Sequence, residues 1–437
     1  MIMNNVKKLL MLSVLLSPSA VFAAEGTIDG PATVWLMVSI VIVLLMFIPG
    51  LALFYGGMVR AKNILSLFTQ FFAIAGIVGI LWVAGVYSLA TDTTNMQEGV
   101  YNLNSIVGGL DKLMLQGITA ESLAGGIPEY ILIVFLMTFA MITPCIALGG
   151  FAERMKFRAT VIFSSLWIVL VYGPMAHMVW GGKGALFHNW GVLDFAGGTA
   201  VHIAAGVTAF VGAIVVGKRK GWPATPMPPH NVVFVMIGAA LLWAGWFGFN
   251  VGSALAINSS AALILMTTML ATCGGIVGWM FAEKMYSGHV TAFGLASGAI
   301  GGLVGITPAA AYVGPFGAIV IGLLTSMASY YAIMILKKKL GVDDALDVFS
   351  LHGIGGMVGF LLTGIFCIPE LGGNVEGISL LPQFLAQLAS IAMTFAYVGI
   401  LSWILLKIID KTVGLRVTAE QEQQGLDVSD HNERAYN

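Results

Sequence analysis

Apolar runs of about twenty residues recur along most of the chain, separated by stretches where glycine, proline and charge collect. Each run is long enough to cross a hydrocarbon core of about 30 Å as a helix. Reading the runs against loop signals predicts eleven spans, near 33–56, 64–90, 128–149, 160–180, 197–217, 231–249, 260–282, 291–307, 313–337, 351–368 and 382–408. Several are interrupted by Gly or Pro, which a bundle tolerates because neighbouring helices re-satisfy the backbone. The fold class is an all-α membrane protein with eleven transmembrane helices.

Composition strengthens that reading: of 437 residues, 58% are hydrophobic and 9% charged, against about a quarter charged in soluble domains. Residues 1–23 form a separate unit. Lys7 and Lys8 precede the short apolar run Leu9–Leu16, and small residues follow near Ala23. That is the pattern of a cleavable signal peptide, too short and wrongly flanked for a span. Residues 24–410 then make the transmembrane domain and 411–437 a polar tail.

Charge gives the direction. Arg60 and Lys62, Arg154, Lys156 and Arg158, the triplets 218–220 and 337–339, and Lys407, Lys411 and Arg416 follow odd-numbered spans. The alternate loops hold only Lys112 and Lys183. The positive-inside rule puts the N-terminus outside and the C-terminus in the cytoplasm. The cysteines, Cys145, Cys273 and Cys367, lie in apolar segments, so no disulfide framework is expected. Most of the 55 glycines sit inside spans, as tight helix packing requires, and form no Walker or dinucleotide loop.

Two spans carry an echo. His202 and His352 each have glycine four residues on (Gly206, Gly356) and phenylalanine eight on (Phe210, Phe360), and each follows a Leu-Asp pair. Their spans close two halves of five, and an odd repeat length forces the halves into opposite orientations. Such inverted repeats place a transport site at the midplane, and ionisable groups in a bilayer usually face a pathway or a partner. Asp194, at the start of span five, suits a helix N-terminus. His202 lies about 12 Å further along the axis.

Five segments resemble the ammonium transporter (Amt/Mep/Rh) family in its bacterial branch: 50–63 (GLALFYGGMVRAKN), 172–182 (YGPMAHMVWGG), 194–202 (DFAGGTAVH), 245–254 (GWFGFNVGSA) and 347–359 (DVFSLHGIGGMVG). The tail over 412–428 resembles it too. The resemblance implies a homotrimer in the bacterial inner membrane, with an inverted five-plus-five repeat, one extra helix and one pore per subunit. It implies an outer recruitment site for ammonium from Trp180, Phe139 and Ser253, a stacked gate of Phe139 and Phe249, twin pore histidines His202 and His352, and Asp194 as supporting acid.

Each role is physically reasonable. Aromatic faces attract a small cation by about 2 kcal/mol when desolvated, and the Ser253 hydroxyl can accept a hydrogen bond that potassium cannot offer. An apolar pore penalises any ion, so ammonium should yield its proton there. The chain departs from close relatives at Leu136, where a polar Gln is frequent. The tail resemblance implies a PII-type nitrogen-regulatory protein as cytoplasmic partner. No enzyme, cofactor, metal or nucleic-acid role is expected. The alternatives are an ammonium sensor and a bis-histidine membrane haem protein.

Overall fold

The computed structural model describes residues 27–436, so the leader read over 1–23 lies outside the described residues. Among the described residues ten helices are long and apolar enough to cross a membrane: α1 (Gly30–Met58), α2 (Ala61–Thr91), α3 (Glu129–Phe151), α4 (Phe157–Trp180), α5 (Gly198–Val216), α6 (Val232–Gly252), α7 (Ser259–Ser287), α9 (Pro315–Leu340), α10 (Phe349–Phe366) and α11 (Leu380–Thr412). The helix expected over 291–307 is α8 (Ala292–Ile306), whose fifteen residues rise only about 22 Å.

The ends of these helices follow local chemistry. Asp29, Asn231, Asn258 and Thr291 each turn a side-chain oxygen onto a free N–H of the first turn, at 2.9 to 3.0 Å. Gly288, in the left-handed region at φ +77°, ends α7. The shortness of α8 also has a local cause. Beyond Ile306 the chain leaves the helix, and the carbonyls of Thr307 and Pro308 accept from Ala196 and Phe195. Irregular backbone at this depth survives because Ala309–Ala311 and Val313 are buried in protein.

Helices α5 and α10 cross at the centre. A Cβ placed on Gly206 would overlap the backbone of Gly353, so the two main chains touch there. Both helices have a π-helical segment, Gly198–Ile203 and Phe349–Ile354, and each segment contains one of the two histidines. Single π turns inside α-helices are frequent at functional sites.

The basic loops gather on one face and are laced by ion pairs. Glu153 receives Arg60 at 2.9 Å and Arg219 at 2.7 Å, while Arg219 also grips Asp343 at 2.7 Å. The polar tail packs onto this face as α12 (Ala419–Gln424) and α13 (Leu426–His431). Its acids explain why: Asp427 accepts from Ser66 N at 2.7 Å, Asp430 from Phe157 N at 3.1 Å, and Glu422 from Lys220 N at 2.6 Å. Each carboxylate satisfies a loop or helix-start N–H that would otherwise stay bare.

Candidate functional site

On the face opposite the basic loops, the ends of α2, α3, α4 and α6 surround an open recess of roughly 680 Å³, solvent at its mouth included. Phe135, Leu136, Phe139, Trp180 and Ser253 line it. Ser253 spends its hydroxyl hydrogen on the Phe249 carbonyl, 2.8 Å away one turn earlier. Its lone pairs stay free to accept from a ligand.

An unbroken line of rings descends from the recess. Trp180 meets Phe139 edge-on at 6.1 Å between centroids, and Phe139 lies flat on Phe249 at 3.9 Å and 15°. Below them His202 stands 6.1 Å from Phe249 and stacks on Trp246 at 5.3 Å. Both stacked phenylalanines are buried, and Phe139 also lines the recess.

The histidines then face each other, Nδ1 to Nδ1 at 3.2 Å with ring centroids 5.3 Å apart. One Nδ1 must donate and the other accept. In a neutral pair the donor ring therefore has a bare Nε2, and the acceptor ring has an Nε2–H. The pair offers one acceptor and one donor at its two outer nitrogens. Among the described residues His202 Nε2 has no hydrogen-bond partner, although it is buried. A small apolar cavity beside His352, walled by Leu51, Phe54, Ile146 and Trp246, continues the line toward the basic face. Rings this close leave no room for a haem plate between them, which removes the bis-histidine haem alternative.

Asp194 does not face this line. Its Oδ1 accepts from Gly197 N at 3.0 Å and Gly198 N at 2.6 Å, and its Oδ2 from Thr199 N at 2.8 Å and the Thr199 hydroxyl. Burial pushes the carboxyl above its usual range, and these donors pull against that. Gly197 makes the cap possible: its φ of +103° is a left-handed conformation, and a Cβ there would strike Val201 and the Trp180 ring. Asp194 thus shapes the turn on which His202 is mounted.

All seven residues singled out from the sequence are therefore brought to one axis or its immediate support. Trp246 was missed, although an indole fixed by a 2.9 Å bond to the Thr307 hydroxyl orients His202. In the sequence it is one more aromatic among apolar neighbours, with nothing to set it apart. His177 stays outside the site, its two nitrogens against the carbonyls of Ala90 and Asn104.

These features define a multi-pass helical membrane protein with an aromatic recess over an enclosed imidazole pair. Residues 34–436 match the model of the Ammonium Transporter Family, and the chain belongs to that family. It is 42% identical over 421 residues to an ammonium transporter of Aquifex aeolicus, covering 96% of each chain. It is 44% identical over 393 residues to one of Bacillus subtilis, covering 89% of this chain and 94% of that one. Among solved structures, Mep2 of Saccharomyces cerevisiae superposes with a TM-score of 0.82 at 32% identity, over 90% of this chain and 92% of that one. A protein described as a sensor Amt protein superposes at 0.83 and 26% identity, over 92% and 98%.

Proposed function

We propose that the protein conducts ammonium nitrogen inward across a bacterial inner membrane. Ammonium is held first in the recess by the Trp180 and Phe139 rings and the Ser253 hydroxyl. It gives up a proton at the Phe139–Phe249 gate, where a full charge would have to be desolvated. Ammonia then passes the imidazole pair, and the proton follows by transfer through it. The observation that carries this reading is the continuous line Trp180–Phe139–Phe249–His202–His352, which ends in two hydrogen-bonded imidazoles inside an apolar bundle.

The arrangement has α8 as an eleventh, short span, the N-terminus outside, the basic face in the cytoplasm, and two inverted halves of five helices. Large apolar side chains exposed along the spans, such as Phe72, Ile80 and Phe281, face lipid or neighbouring subunits of a homotrimer. The docked tail is the surface offered to a PII-type nitrogen-regulatory protein. A sensing role is additional to transport, and the likeness to a sensor Amt protein is what favours it.

The test is an ammonium pulse on proteoliposomes adsorbed to a solid-supported membrane. A saturable transient current from ammonium, and none from potassium at equal concentration, is expected. Equal currents from both ions would show an ion pore and refute the gate.

A further inference from the structure

The likeness between the two histidine segments extends to a second acid. Asp344 precedes His352 by eight residues, as Asp194 precedes His202. Each carboxylate caps the π-helical turn that carries its histidine. Asp194 Oδ2 accepts from Thr199 N at 2.8 Å and Asp344 Oδ2 from Phe349 N at 2.7 Å, five residues on in both cases. Asp347, which directly follows a leucine as Asp194 does, makes no such cap.

The two acids differ in how they are satisfied. Asp194 spends both oxygens on four donors. Asp344 is wholly buried, and among the described residues its Oδ1 has no hydrogen-bond partner. An unpaired carboxylate oxygen in such a place is costly, and a proton on it removes most of the cost.

The surrounding charges point the same way. Lys337, at the end of α9, pairs with Asp347 at 2.7 Å. Asp343 turns its carboxylate to Arg219. From α1 the Tyr55 phenol donates to the Ile146 carbonyl at 3.1 Å, and from α3 Cys145 lies beside Tyr55. Asp344 thus lies next to the Asp347 charge, and among the described residues no cation is seated on it. Burial first and Asp347 second push its carboxyl up to about 7, against the pull of the Phe349 and Val348 N–H groups and of the Lys337 charge. Asp347 and Lys337 are partly open to solvent, their side chains 11% and 30% exposed, so the cluster lies just beneath the inner surface.

We infer that Asp344 is the proton-exchange group at the inner end of the route, which takes up on its free Oδ1 the proton passed by the histidine pair and delivers it to cytoplasmic water. The inference rests on the relay proposed above. Asp344 sits in the turn just before α10 and His352 in the first turn of that helix, and water of the inner mouth carries the proton between them. The step is a plain transfer: an N–H bond breaks, the Oδ1–H bond forms, and that bond later breaks to water.

The sign of the pH dependence follows. Interior pH below about 7 keeps the proton on Asp344 and blocks uptake of the next one; higher pH frees the oxygen. Inward ammonium-evoked current should fall as the liposome interior is acidified through that range. In Asp344→Asn the amide oxygen can still cap Phe349 N, so folding is retained. The current should drop about tenfold or more, and the interior-pH dependence should vanish. An infrared pH titration supplies a readout independent of turnover: the wild type should show a carboxylic acid C=O stretch that titrates near neutrality and is missing from Asp344→Asn.

A wild type without ammonium-evoked current would sink the relay reading and this one with it. A wild type that carries current, beside an Asp344→Asn variant with the same current and the same interior-pH profile, would overturn the role of Asp344 alone. So would a missing acid whose band titrates only in the ordinary carboxyl range.

Discussion

Gly206 is where the helix crossing and the imidazole pair depend on each other most directly. In Gly206→Ala the new methyl would overlap the backbone of Gly353, and the His352 carbonyl carbon lies 3.0 Å from the same point. Both obstructions are main chain, so no rotamer change relieves them, and α5 and α10 must part by about 1 Å. The Nδ1–Nδ1 bond, 3.2 Å in the native protein, would then open to about 4 Å, past hydrogen-bond reach. Overpacking of this kind costs about 1–3 kcal/mol, which a bundle with this much buried surface can absorb. A displacement of about 1 Å at reacting groups can cost about a hundredfold in rate. The expected result is a folded oligomer on size exclusion with ammonium-evoked current reduced by about tenfold to a hundredfold. Gly399→Ala is the control, because its Cβ would meet only the Val207 side chain, at 3.5 Å. Wild-type currents from Gly206→Ala would refute the claim that imidazole contact governs conduction.

Further outcomes are expected elsewhere. Trp180→Leu and Ser253→Ala should weaken saturation by ammonium while the oligomer stays intact; unchanged concentration dependence in both would remove them from the recruitment site. His202→Asp or His352→Asp should admit potassium, read as rescue of a potassium-uptake-deficient strain, since a carboxylate brings charge and water into the dry segment. Loss of residues 425–437 should abolish capture of the PII-type protein in pull-downs, and normal capture would count against tail recognition. Burial alone would raise the Glu153 carboxyl, but Arg219 and Arg60 hold it at about 2 against a usual 4.5. Its contribution to stability is therefore present above about 4.5 and lost as pH falls toward 2. Acid denaturation in detergent should be steeper in that window for the wild type than for Glu153→Gln.

The long helices were legible because a bilayer demands twenty apolar residues in a row, and nothing subtler than composition is needed to find them. The histidines were legible because ionisable groups are rare in such runs, and their shared spacing to Gly206 and Gly356 drew the two segments together. What composition could not reveal was backbone geometry. The early end of α8 depends on carbonyls of Thr307 and Pro308 bonding a segment more than a hundred residues away. The π turns at His202 and His352 leave no sequence mark. Asp344 was overshadowed by Asp347, which follows leucine as Asp194 does, although the eight-residue interval to His352 was there to be counted. The tail reads as polar because of its acidic residues, and only the otherwise unpaired N–H groups of Ser66 and Lys220 show why Asp427 and Glu422 are buried instead.

The imidazole pair, as hydrogen-bonded, also has a memory. Suppose a proton arrives at the ring whose far nitrogen is bare. That ring hands its own proton across the shared bond, and its neighbour sheds one on the other side. Afterwards each ring holds the tautomer the other had before, and the polarity of the bond has reversed. A second proton from the same direction finds no vacant nitrogen to receive it until both rings have reset. Passing ammonia, able both to give and to take a hydrogen, is the agent at hand for that resetting. Charge and ammonia would then be counted out together, held to a fixed ratio by the need to rewind the pair after every transit.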